Sequence, residues 1–148
     1  MQKSFDVGQK LFFDVLIICL VSFIYFKIVP MNKITLFIGI LICVFYFGVN
    51  FYTGYKYNLT TTEALFVGIM GCGLGIFLSF FAVYTNFILQ TPVRAIWITI
   101  PYLAPTTPII ELFIKDISIL YVFQLMFINI LLVIFGSFSR KIMNKLAP

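Results

Sequence analysis

Long apolar runs alternate with short polar segments along this chain, and the runs have the length that a lipid bilayer selects. Leu11 to Val29, Ile34 to Tyr52, Ala64 to Gln90 and Ile117 to Ser137 are the four runs. A helix rising about 1.5 Å per residue needs about 20 mostly apolar residues to cross about 30 Å of hydrocarbon. The pattern predicts an all-α integral membrane protein with four transmembrane helices, the third and fourth joined by a proline-rich segment over residues 91–116. Every segment between the runs is too short for a soluble domain, so residues 1–148 read as one membrane domain.

The connections carry turn and cap chemistry. Pro30, Met31, Asn32 and Lys33 make a tight link, because proline cannot continue a helix and asparagine suits a turn, so the first two helices are expected to be antiparallel neighbours. Residues 53–63, TGYKYNLTTTE, return the chain as a polar loop. Within it Thr60 and Glu63 have capping-box spacing and predict the start of the third helix. The amino-terminal run follows two lysines, as a secretory signal does, but lacks a small-residue cleavage pattern and is expected to be retained.

The third run has two unlike faces. Read at about 100° per residue, Ala64, Gly68, Gly71, Gly75, Ser79, Ala82 and Asn86 fall within roughly 80° of one side. Phe66, Met70, Phe77, Phe80, Phe81, Tyr84 and Ile88 occupy the broad opposite side. Within lipid no hydrophobic drive presses helices together, so close backbone approach through small residues matters more. The stripe is therefore expected to pack a helix, either of this chain or of a partner or second copy.

Residues 91–116 contain Pro92, Pro101, Pro105 and Pro108. Three arrangements fit: a fifth span broken by prolines, a re-entrant segment, or an interfacial loop with Trp97 and Tyr102 at headgroup depth. Basic residues choose among them. Four spans with both termini cytoplasmic place Lys3, Lys10, Lys56, Arg140, Lys141 and Lys145 inside, against Lys27, Lys33, Arg94 and Lys115 outside. Five spans reverse that bias, so four are favoured by the positive-inside rule. The proline segment, with Arg94, Trp97, Pro101, Pro105, Pro108 and Glu111, is then an outer interfacial or re-entrant element. Glu111 and Lys115 are spaced to pair on a helix starting near Pro108.

Composition narrows the chemistry further. Of the 148 residues, 62% are hydrophobic and 10% charged, against roughly a quarter charged in soluble domains. There is no histidine, which removes imidazole metal ligands, bases and pH switches. Cys19, Cys43 and Cys72 lie singly inside apolar runs and read as packing residues. The net charge of +5 is spread along the chain, which suits anionic headgroups and not nucleic acid. No metal, cofactor or catalytic constellation is expected.

Among the few polar groups within the runs are Asp14, Asn86, Gln90, Gln124 and Asn129. Asp14 is spaced to pair with Lys10 near the interface, and Asn129 is expected to face the bundle and hydrogen-bond across helices. Two functions fit this pattern. The first is a multi-pass subunit of a bacterial plasma membrane, associating through the stripe or the proline segment with other subunits or itself. The alternative is a small oligomeric channel or carrier for an ion or neutral solute, lined by Asn86, Gln90, Gln124 and Asn129.

Overall fold

The computed structural model describes residues 2–113 and 118–146, and no strand occurs among them. The α-helices in chain order are α1 (Gln2–Ile28), α2 (Lys33–Lys56), α3 (Thr61–Gly71), α4 (Gly73–Phe87), α5 (Pro92–Leu103), α6 (Thr107–Phe113) and α7 (Leu120–Leu146). A single 3-10 turn, Ala104–Thr106, joins α5 to α6. Four stretches are long and apolar enough to cross a membrane: α1, α2, Pro92–Phe113 and Leu120–Asn144. The bent pair α3 and α4 would add a fifth if it counts as one span.

Local chemistry sets the helix starts. Asn32 caps α2, its Oδ1 accepting from the Thr35 amide at 2.9 Å. Thr60 and Glu63 form the reciprocal capping box at the head of α3, with the Thr60 amide donating to Glu63 Oε2 at 2.8 Å and the Glu63 amide to Thr60 Oγ1 at 3.3 Å. The second helix runs past its expected end at Tyr52. Thr53 and Gly54 belong to its buried face, and the Thr53 hydroxyl is satisfied by Val49 O at 2.8 Å.

The stretch 64–90 corrects the expectation of one straight helix. Helices α3 and α4 meet at Cys72 with a bend of 56°. The cause lies in Gly71-Cys72-Gly73, where two glycines flank one residue and weaken the helix locally. Cys72 takes φ −82° and ψ 4°, and its amide is shared between Gly68 O and Ile69 O, both at 3.1 Å. Leu11 of α1 presses on the same point, since a Cβ on Gly71 would lie 2.6 Å from Leu11 Cδ2.

Helix α1 serves as a ruler for height in the bundle. Ser4 donates to Glu63 Oε1 at 3.1 Å, Leu11 meets Gly71, and Cys19 Sγ lies 3.8 Å from Tyr102 O. At the far end Phe26 and Pro108 both close on Gly39 of α2. Thus α3 climbs from the amino-terminal end to a level between Leu11 and Cys19, and the chain resumes its climb from Tyr102 to Pro108. Between these levels α4 and α5 pack on one another as a hairpin. The passage from Thr61 to Phe113 is one composite crossing with a hairpin inserted at mid-height.

Helix α7 returns to the starting end. Its Ser137 hydroxyl donates to Leu59 O at 2.6 Å, and Arg140 donates to Tyr55 O at 3.1 Å and to Lys56 O. The amino-terminal part of α1 and the carboxy-terminal part of α7 therefore lie at the same end of the bundle. Along α2 and α7 the backbones touch: Gly54 lies against Val133 O, and Gly136 against Phe51 O.

Candidate functional site

The site is the mid-height junction where α1, α2, α5 and α7 meet the α3–α4 break. Each element contributes one buried polar or sulfur-bearing side chain to it: Cys19, Tyr46, Tyr102, Asn129 and Cys72. Asn129 Nδ2 donates to Tyr46 Oη at 2.6 Å and to Tyr102 Oη at 3.1 Å. Cys72 Sγ lies 3.5 Å from Met126 O. Tyr46 and Tyr102 have no measurable exposure and Asn129 is 2% exposed, while Asn129 Oδ1 has no partner. A buried amide held by two phenols is cross-helix glue: net gains per such bond are about 0.6 to 2 kcal/mol, but a lost partner leaves a buried polar group unmet.

The junction also seats the hairpin. A Cβ on Gly75 would stand 2.7 Å from the Tyr102 ring, so the absence of a side chain there lets α4 close on α5. Tyr102 is not interfacial, a correction to its expected depth; its ring fills the centre and its hydroxyl reaches Asn129.

The stripe residues Ala64, Gly68, Gly71, Gly75, Ser79 and Ala82 are all buried, and three of them have identified neighbours in the same chain. Gly68 faces Ile130 of α7, with a would-be Cβ 3.1 Å from its Cα, Gly71 faces Leu11, and Gly75 faces Tyr102. The polar residues read from the sequence are not brought together. Asn129 is central, Asn86 and Asp14 are half-buried, and Gln90 and Gln124 are exposed. Gln90 instead takes φ 51° in the turn from α4 to α5.

In the proline segment Pro105 and Pro108 are buried, Pro101 is half-buried, and Arg94, Trp97 and Glu111 are exposed. Helices form there because Pro92 sits in the first turn of α5, where the missing amide is harmless, and Pro105 is the second residue of the 3-10 turn, while Pro101 lies inside α5. The proposed partner of Glu111, Lys115, lies outside the described residues, as does Ile117, the expected start of the fourth span.

Sequence reasoning missed Tyr46, Gly54 and the role of Tyr102. Gly54 could have been found by extending α2 to Lys56, since Tyr46, Asn50, Thr53 and Gly54 continue one helical face. No group of three or more His, Cys, Asp or Glu side chains able to hold a metal ion occurs among the described residues. No protein-family model matches the chain, and neither a curated protein nor a solved structure does.

Proposed function

We propose that this chain is a multi-pass protein of a bacterial plasma membrane, both termini cytoplasmic, acting through helix–helix association as an accessory or structural component of a larger membrane complex. The observation that carries the reading is that the central amide nitrogen of Asn129 is held by Tyr46 and Tyr102, while Asn86, Gln90 and Gln124 are not brought to it to line a route. Flux needs a continuous polar lining; a scaffold does not. Catalysis is not part of the proposal.

The stripe is occupied by the chain's own helices, so the association surface moves to the hairpin. Its outer edge carries Phe77, Phe87, Val93 and Trp97, each more than 60% exposed. Large aromatic anchors are what protein interfaces favour, and in lipid they supply packing area at low entropic cost. Purification through a terminal tag in mild detergent, with mass spectrometry of the intact particle, tests this. Stoichiometric foreign subunits are expected, and Phe87→Ala with Trp97→Ala should release them while the chain stays folded. A clean homo-oligomer that passes solute in vesicles would overturn the reading in favour of a channel or carrier.

A further inference from the structure

Helix α1 carries two seams. Val7, Leu11, Val15, Cys19 and Ser22 turn into the bundle. On another side Lys10, Asp14, Ile17, Val21, Ile24 and Ile28 recur at alternating steps of four and three residues, the a and d positions of a heptad. At about 100° per residue these six fall within roughly 80° of one another. The chain's own helices leave this side open: Ile17, Val21, Ile24 and Ile28 are each more than half exposed, Lys10 is exposed and Asp14 is half-buried.

Lipid can cover the isoleucines, but it is a poor cover for Asp14. That residue stands ten residues along α1 from Ser4, which joins Glu63 at one end of the bundle, and twelve from Phe26, which reaches Gly39 at the other. At about 1.5 Å per residue these are about 15 and 18 Å, mid-height in a hydrocarbon layer about 30 Å thick. A carboxylate at that depth is costly unless a cation meets it. Lys10 lies one turn away, yet among the described residues neither side chain is closed by an ion pair or a hydrogen bond. Lipid headgroups stay at the surface, so the cation has to come from a protein side chain.

A second copy supplies it by symmetry. Copies inserted in one membrane share an orientation, and a two-fold axis along the membrane normal sets their α1 helices parallel. In a parallel heptad pair each a side chain packs beside a d side chain of the other helix. Lys10 of each copy then meets Asp14 of the other, and both pairs form at once. A foreign helix would need matching charges of its own at the same depth.

We propose that the outer seam of α1 joins two copies of this chain in parallel, with reciprocal Lys10–Asp14 ion pairs across the axis and Ile17, Val21, Ile24 and Ile28 packed in layers beyond them. The surface is separate from the hairpin edge assigned to foreign subunits, so variants at one leave the other in place.

The test counts copies of the full chain, purified in mild detergent, by native mass spectrometry. Two copies per particle are expected. Lys10→Asp and Asp14→Lys each set like charges across the axis and should leave one copy. Co-expressed, the two variants should recover a dimer holding one of each, because their charges then complement. A Lys10–Asp14 pair within one helix predicts no such recovery. The natural cysteines are buried, so in vesicles under mild oxidation Ile17→Cys and Ile24→Cys should each give a disulfide-linked dimer. Phe37→Cys, on an exposed position of α2, should not. A single-copy wild type, single charge variants that stay dimeric, mixed variants that stay apart, or equal cross-linking at residues 17 and 37 would overturn the proposal.

Discussion

The α2–α7 pair and the α4–α5 hairpin are built on different principles. Between α2 and α7 the backbones meet at Gly54 and Gly136, Asn129 reaches Tyr46 across the seam, and Arg140 donates to the last carbonyls of α2. The hairpin closes along its length through buried small and hydroxyl residues, Gly75, Ser79, Ala82 and Thr85 of α4 and Ala95 and Thr99 of α5, with Gly75 receiving the Tyr102 ring, and its far side presents Phe80 at 80% and Phe87 at 70% exposure. The difference teaches that cohesion is achieved in two ways in this small fold, by backbone contact at glycines with a buried amide in one pair and by a glycine seated under an aromatic ring in the other. Both present aromatic area outward, Phe45 and Phe127 at 62% as well as Phe87 at 70%.

The sharpest way to break the comparison is to add a side chain where α2 and α7 touch. Gly136→Leu places carbon on the Phe51 carbonyl, backbone that cannot give way, and should destabilise by about 3 kcal/mol or more. Thermal unfolding in detergent reads it, and an unchanged midpoint would refute the close packing. Asn129→Leu comes next, at about 1 to 2 kcal/mol, because Tyr46 and Tyr102 lose their shared partner. A double-mutant cycle with Tyr102→Phe should show coupling near about 0.6 kcal/mol; strict additivity would mean that the bond carries no weight.

Thr60→Ala removes the cap of α3 and should cost about 1 kcal/mol, read as a smaller fall in the same midpoint. Hairpin variants sharpen the other side. Phe87→Ala and Trp97→Ala should leave the unfolding midpoint nearly unchanged while releasing partner subunits. Gly48→Ala is the smallest change expected: no atom lies within 4 Å of a Cβ there, so the variant should be neutral or slightly stabilising. A marked loss would mean that Gly48 faces a neighbour in the assembled complex.

Cap and turn chemistry was legible because it is local. Asn32, Thr60 and Glu63 each act on amides within three residues, so letters alone locate the starts of α2 and α3. The small face of residues 64–82 was legible for the same reason, since periodicity places those residues together whatever they meet. The α3–α4 break was harder, because glycines at 71 and 73 permit a bend without requiring one in a helix that other neighbours could keep straight. The proline segment misled in the opposite direction: prolines at a first turn and at a 3-10 turn are compatible with helix, although four of them suggest interruption.

By itself, then, the sequence determined an all-helical chain, the apolarity of its long helices, the caps, and which small residues share a face. Tertiary structure alone decided that three of those small residues receive Leu11, Ile130 and Tyr102, that Gly54 meets α7, and that α2 and α5 converge on Asn129 of α7. Propensity, caps and periodicity act over a few residues and are written in order along the chain. The partner of a buried face is chosen by shape and by hydrogen-bond geometry between residues as far apart as Tyr46 and Asn129, where spacing in sequence carries no information.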